Sequence, residues 1–153
     1  PFTRRVLEAQ VQARGIDLTR LEVLPHASGY RDHLACYDMC DIAVDTTPYA
    51  GTTTTCEAML MGLPVVTLAG ARHAARVGVS LLSASGQHEN IAADADAFAL
   101  RARTLAAEIA PQSAALRTAA KNDRRIAFAA SPLCDGKAFA EQLTAALAAI
   151  ANA

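Results

Sequence analysis

Apolar residues recur every three or four positions over long stretches of the chain and run consecutively over a few short ones, which predicts helices alternating with buried strands. Phe2, Val6, Ala9 and Ala13 share helical spacing and Gly15 follows as a stop, predicting a surface helix from Phe2 to Arg14. Leu21 to Leu24 is predicted as a short strand closed by Pro25. Helical period returns from Arg31 to Cys40, with Leu34 and Tyr37 facing inward, and Ile42 to Val44 is a second strand ending at Asp45. After a loop rich in Thr, Pro and Gly, a helix is expected from about Thr55 to Met61, ended by Gly62 and Pro64. Val65 to Leu68 is then a third strand, Ala74 to Leu82 a helix, and Asn90 to Ala93 a short fourth strand. Beyond it the pattern is helical throughout. Phe98, Ala102, Leu105 and Ile109 form one stripe broken by Pro111, a second helix runs to about Ala130, and Phe139, Leu143, Leu147 and Ile150 line a terminal helix after the Ser131-Pro132 turn.

Apolar strands separated by helices predict an α/β fold, a Rossmann-like parallel sheet flanked by helices, because a half-exposed antiparallel strand would alternate polar and apolar residues. The length, 153 residues and 16.0 kDa, suits one domain or one half of a two-lobed protein. The hydrophobic share of 52% excludes disorder, and no apolar run approaches the ~18 residues of a membrane span. Fourteen Lys and Arg against fifteen Asp and Glu leave no positive field for nucleic acid or an anionic membrane surface. Cys36, Cys40, Cys56 and Cys134 match neither a zinc knuckle nor a disulfide scaffold, and Cys36 and Cys40 are expected to be small buried thiols in a reducing, cytoplasmic setting. Pro1 in place of Met suggests a cut piece whose N-terminal neighbour is missing.

Ligands of open parallel sheets bind beyond the carboxyl ends of the strands, which directs attention to the residues after Asp45. Gly51 permits close backbone approach, and the run Thr52, Thr53, Thr54, Thr55 opens a helix whose first amides lack helical partners. Amides and hydroxyls together suit a phosphate or diphosphate, while Glu57 suits a pair of ribose hydroxyls. A plain N-cap followed by solvated polar residues is the competing interpretation, since no Walker or GxGxxG pattern is present. His33 projects from the same sheet edge, either as a structural histidine or as a ligand contact.

The stretch Asp41 to Glu57, DIAVDTTPYAGTTTTCE, continues through Ala58, Met59 and Leu60 into Met61 to Leu68, MGLPVVTL, and resembles the signature of the O-linked N-acetylglucosamine transferase and SPINDLY family. Gly70 to Gly78 and Ser131-Pro132-Leu133 are similar to that family's C-terminal lobe as well, so the likeness covers about residues 20 to 150. The resemblance implies the nucleotide-binding C-terminal lobe of a GT-B glycosyltransferase, spanning 1–153 as a single and incomplete lobe ending in a helical region, with the N-terminal lobe absent. It implies a bacterial-type enzyme with UDP-GlcNAc as donor, Ser or Thr of an acceptor protein as the target, inversion at the sugar and no metal. Residue by residue, it implies His33 against the uracil, Thr53 and Thr54 on the diphosphate with Thr52 and Gly51 beside them, and Glu57 on the ribose. Tyr30 falls where some relatives carry lysine. The family's upstream lysine has no counterpart, Lys121 and Lys137 being the only lysines, so catalytic groups are expected upstream of Pro1 and this chain alone is expected to be inactive. A non-catalytic nucleotide-binding module is the alternative. A receiver-like phospho-acceptor domain built on Asp45 is a remote third, lacking the acidic pair and lysine that such chemistry needs.

Overall fold

The computed structural model describes residues 2–151, so Pro1, Asn152 and Ala153, together with the side chain of Phe2, lie outside the described residues. The chain divides into two compact units, residues 1–33 and 34–153.

In the first unit, helix α1 (Phe2–Ala13) ends at Gly15, whose φ of 73° turns the chain so that Gly15 N donates to Gln12 O and Ile16 N to Val11 O. Both bonds satisfy carbonyls that the helix end would otherwise leave open. Asp17 then caps a short 3-10 turn at Leu18–Arg20 by accepting from Thr19 N at 2.9 Å. The expected strand from Leu21 to Leu24 is extended chain instead. Leu21 and Val23 are half-buried while Glu22 and Leu24 are exposed, and no ladder is formed there among the described residues. A strand exists through the partner that satisfies its backbone, and alternation alone does not supply one. Helix α2 (Tyr30–Cys36) begins in this unit, and its last residues and the 3-10 turn at Tyr37–Met39 belong to the second.

The second unit carries the parallel sheet expected from the sequence, with three strands in the order β1 (Ala43–Val44), β2 (Val65–Leu68), β3 (Ile91–Ala92). Ala43 pairs with Val65 and Val44 with Val66, then Thr67 with Ile91 and Leu68 with Ala92. Helix α3 (Thr53–Leu60) makes the first crossover and α4 (Val77–Ala84) the second. Gly62, at φ 80°, ends α3 with Gly62 N donating to Met59 O and Leu63 N to Ala58 O, both at 2.9 Å. A side chain at Gly62 would also run into the Lys121 carbonyl, so this turn needs glycine for its angle and for its space. The helix expected from Ala74 is split, a 3-10 turn at His73–Ala75 preceding α4.

Met59, Leu63, Val65 and Leu82 are fully buried and form one cluster with Ala58 and Phe128, and Val66 is fully buried as well. Each large side chain removed from water there contributes about 1.5–3 kcal/mol. Asp94 caps α5 (Ala95–Ile109) by accepting from Ala97 N at 2.8 Å, and Leu105 and Ile109 of its predicted stripe are buried. Ser113 caps α6 (Ala114–Ala129), which supplies Phe128 to the core. On the same helix, Lys121 Nζ donates to Asp38 O at 3.1 Å and Cys40 O at 2.7 Å, and Arg124 Nε donates to Gly62 O at 2.7 Å. Those long side chains tie the approach to β1 and the α3–β2 turn to one helix.

Burial departs from the sequence pattern at two places. The stripe of α7 (Gly136–Ala151) is exposed, with Phe139 at 64% and Ile150 at 73%, and no residue of that helix is buried. Helical spacing identifies an apolar side but does not provide a surface to cover it. Cys36 is half-buried and Cys40 exposed, because α2 ends at Cys36 and a 3-10 turn carries the chain on to Cys40, off the helix; neither forms a disulfide.

Candidate functional site

The carboxyl end of β1 delivers Asp45 to the edge of the sheet, where its N–H donates to Val66 O at 2.8 Å. Its carboxylate turns inward. Oδ1 accepts from Gly51 N at 2.7 Å and Oδ2 from the Thr67 hydroxyl at 2.8 Å, and the residue is 8% exposed. Both oxygens of Asp45 are therefore engaged inside the protein, which is unsuited to a phospho-acceptor and leaves the receiver-like alternative without a nucleophile. The loop from 46 to 52 is held at a second point by Ala50 N donating to Ala74 O at 2.8 Å.

This loop ends in the N-terminus of α3. Thr52, at the N-cap, makes no side-chain cap bond, and its carbonyl accepts from Cys56 N at 3.1 Å where the helical ladder begins. The amides of the first turn thus have no partner within the helix, and Thr52, Thr53 and Thr54 are exposed beside them. Gly51 contributes differently from a free amide, because its N–H is committed to Asp45. What matters there is the missing side chain: a Cβ would stand 2.6 Å from Thr54 Oγ1 and 2.8 Å from Thr55 Oγ1. A cleft of about 190 Å³ adjoins this turn, lined among others by Tyr37, Asp45, Gly51, Thr54 and Thr55.

Glu57 lies one turn into α3 and is buried, at 7% exposure. The Tyr37 hydroxyl stands 3.4 Å from Glu57 Oε2 and 3.4 Å from Thr54 O, so its single proton is shared between a carboxylate and the helix backbone. Gly51, Thr52, Thr53, Thr54 and Glu57 are accordingly gathered in one loop-and-helix element. His33 belongs to unit 1–33, where it is half-buried on α2, its N–H donates to Gly29 O at 2.9 Å, and it lines a cavity of about 340 Å³ with His26, Ser28 and Tyr30.

Donors for an anion at the site come from the amides and hydroxyls of the first turn of α3 and from no lysine. Lys121 is engaged with the Asp38 and Cys40 carbonyls, and Lys137 stands 4.0 Å from Glu141 on exposed α7. Burial pushes the Cys56 thiol above its ordinary value of 9.0, with Cys134 and Glu57 adding to the effect, so this cysteine in the second turn stays protonated. No group of three or more His, Cys, Asp or Glu able to hold a metal is present among the described residues. Sequence reasoning does not bring Thr67 and Gly78 to the Asp45 carboxylate that they enclose, nor give a part to the Tyr37 hydroxyl, which helical spacing presents only as part of an inward apolar face. Tyr in place of Phe at an inward helix position is the available signal, since a buried phenol needs a partner.

Known proteins resemble this chain in sequence and in fold. The chain is 38% identical over 143 residues to the probable UDP-N-acetylglucosamine--peptide N-acetylglucosaminyltransferase SPINDLY of Hordeum vulgare, covering 94% of this chain and 15% of that protein. The protein of the same name from Oryza sativa subsp. japonica is 41% identical over 132 residues, 86% of this chain and 14% of its own length. The fold matches a Lys-to-Met mutant of the Thermobaculum terrenum O-GlcNAc transferase with a TM-score of 0.82 at 32% identity, over 96% of this chain and 27% of that one. The GT-B expectation is borne out by that match, and the chain spans about 15% of the length of the curated relatives. Residues 3–143 carry the sequence pattern of glycosyl transferase family 41, and the chain belongs to that family.

Proposed function

We propose that this chain is the UDP-sugar-binding lobe of a protein O-GlcNAc transferase. One observation carries the reading: an uncapped helix N-terminus at the carboxyl edge of a parallel sheet, with Thr53 and Thr54 exposed on its first turn. Such a turn offers amide donors and a positive dipole end to a diphosphate. In this reading Thr53 and Thr54 hold the diphosphate, Thr52 and the Gly51 turn shape its entry, Glu57 reads the ribose and His33 packs on the uracil.

The reaction transfers N-acetylglucosamine from UDP-GlcNAc to a Ser or Thr hydroxyl of an acceptor protein. The hydroxyl oxygen attacks the anomeric carbon from the face opposite UDP, the new C–O bond forms as the bond to the β-phosphate oxygen breaks, and configuration inverts. The electron pair of the broken bond leaves with UDP, and the hydroxyl proton passes to a base that we assign to the N-terminal lobe, the charge-neutralising lysine being assigned upstream, near the first strand of this lobe. The contribution of this lobe is electrostatic: donors fixed in advance where negative charge builds up on the leaving diphosphate. We assign no metal to the site, since dipoles, hydroxyls and that lysine offset the charge. We place the enzyme in the cytoplasm, where cysteine thiols stay reduced. Among the described residues no helix is long and apolar enough to cross a membrane.

The test is transfer of radiolabelled sugar from UDP-GlcNAc to a Ser/Thr peptide by the full-length protein. Turnover that is abolished in Thr53→Val/Thr54→Val supports the reading. Tight UDP binding without turnover would turn the protein into the non-catalytic nucleotide-binding module.

A further inference from the structure

Asp45 is a buried carboxylate that has no task in the nucleotide reading of the site. It is mounted rigidly: its own N–H is in the sheet ladder, Oδ2 accepts from Thr67 of β2 at 2.8 Å, and Oδ1 accepts from Gly51 N at 2.7 Å. These are the distances of charge-assisted bonds. The space it occupies is kept open by Gly78 of α4, where a methyl group would collide with Asp45 Oδ2 and with Thr67 Oγ1. On the other side, Gly51 is pressed against α3 so closely that a Cβ would stand 2.6 Å from Thr54 Oγ1. A continuous line of contacts therefore runs from β2 and α4 through Asp45 to Gly51 and onto the hydroxyls of the first turn of α3. A negative charge behind an anion site repels the anion, so whatever Asp45 contributes to that site is geometric.

We propose that Asp45 is a positioning residue, which fixes the Gly51 peptide and through it the placing of Thr54 and the first turn of α3 against the diphosphate, without touching the ligand. This rests on the nucleotide reading of the site. Gly78 and Thr67 serve the same end by holding the carboxylate in one orientation.

The test compares Asp45→Ala, which removes both bonds, with Asp45→Asn, which keeps an oxygen for Gly51 and a group that donates to the Thr67 hydroxyl. Hydrogen exchange at the Gly51 amide and UDP affinity by calorimetry are read on the full-length protein. In Asp45→Ala, Gly51 exchange is expected to accelerate about tenfold or more while the β2 amides keep their protection, and the UDP dissociation constant to rise about tenfold. Asp45→Asn is expected to stay within about threefold of the parent on both readouts, the bond geometry being preserved. A purely structural carboxylate would loosen β2 and Gly51 together and leave the affinity of the folded protein unchanged, and that result overturns the proposal. So does a Gly51 amide that stays protected in Asp45→Ala, or an Asn variant as impaired as the Ala variant. If Asp45→Ala does not fold, Gly78→Ala, which displaces the carboxylate without removing it, takes its place: faster Gly51 exchange with weakened UDP binding supports the proposal, and a protected Gly51 or an unchanged affinity overturns it. If the parent protein binds no UDP, the nucleotide reading itself fails, and the exchange at Gly51 still decides whether Asp45 anchors the turn.

Discussion

Replacing Thr53 and Thr54 together by Val removes two hydroxyls from the first turn of α3 while keeping side-chain volume and β-branching. Both residues are exposed, neither caps the helix, and Thr and Val have similar helix propensity, so the fold should change by less than about 0.5 kcal/mol. Binding should change far more. A hydrogen bond to a charged oxygen contributes about 1.5–3 kcal/mol, and two such bonds at the lower end amount to about 3 kcal/mol, a loss of roughly a hundredfold in affinity for UDP. Calorimetric titration of UDP into the parent and double variant, with melting curves of both, measures the two quantities side by side. An unchanged melting temperature with affinity lowered roughly a hundredfold is the expected outcome. A folded double variant that binds UDP as the parent does would refute the reasoning and reduce the Thr run to a helix start.

Gly62→Ala should destabilise by about 2–4 kcal/mol, combining left-handed strain at φ 80° with a collision against the Lys121 carbonyl, and urea denaturation would show it as a lower midpoint at constant slope. Phe128→Ala, at 7% exposure, should cost about 3–5 kcal/mol, whereas Phe139→Ala, at 64%, should cost less than about 0.5 kcal/mol in the same assay. Cys56 should react with iodoacetamide at neutral pH more slowly than exposed Cys40, as peptide mapping by mass spectrometry would register. Because burial raises the folded-state pKa of Cys56, its contribution to stability is complete below the ordinary value of 9.0 and is lost as pH rises through the higher folded value; Cys56→Ala should flatten that alkaline decline in melting temperature.

The parallel sheet is legible in the sequence because Val65, Val66 and Leu68 belong to an apolar run that suits a strand covered on both faces. Gly62 is legible for a similar reason, a glycine between a helical period and a proline having few other uses. The stretch from Leu21 to Leu24 misleads because its composition suits a strand and its backbone has no ladder partner among the described residues to make it one. The α7 stripe misleads in the opposite way, its period being right and its burial absent. At the site, the Thr run and Gly51 stand out from local chemistry alone. Asp45 does not, since its meaning depends on Thr67 and Gly78, which reach it only after β1 pairs with β2 and α4 packs alongside. Local chemistry also presents Gly51 as a point of close backbone approach for a ligand, whereas its N–H is taken by Asp45 and the absence of a side chain is what it contributes.

The central claim is that the first turn of α3 receives the diphosphate of UDP. Backbone amide resonances followed by NMR during a UDP titration test it most directly. Saturable shifts are expected to be largest at Thr53 and Thr54 and to extend to Glu57, with little response around the cleft lined by Arg101, Arg124 and Phe128 at the other end of β2. Shifts confined to that second cleft, or none at the Thr53 and Thr54 amides at saturating UDP, would contradict it.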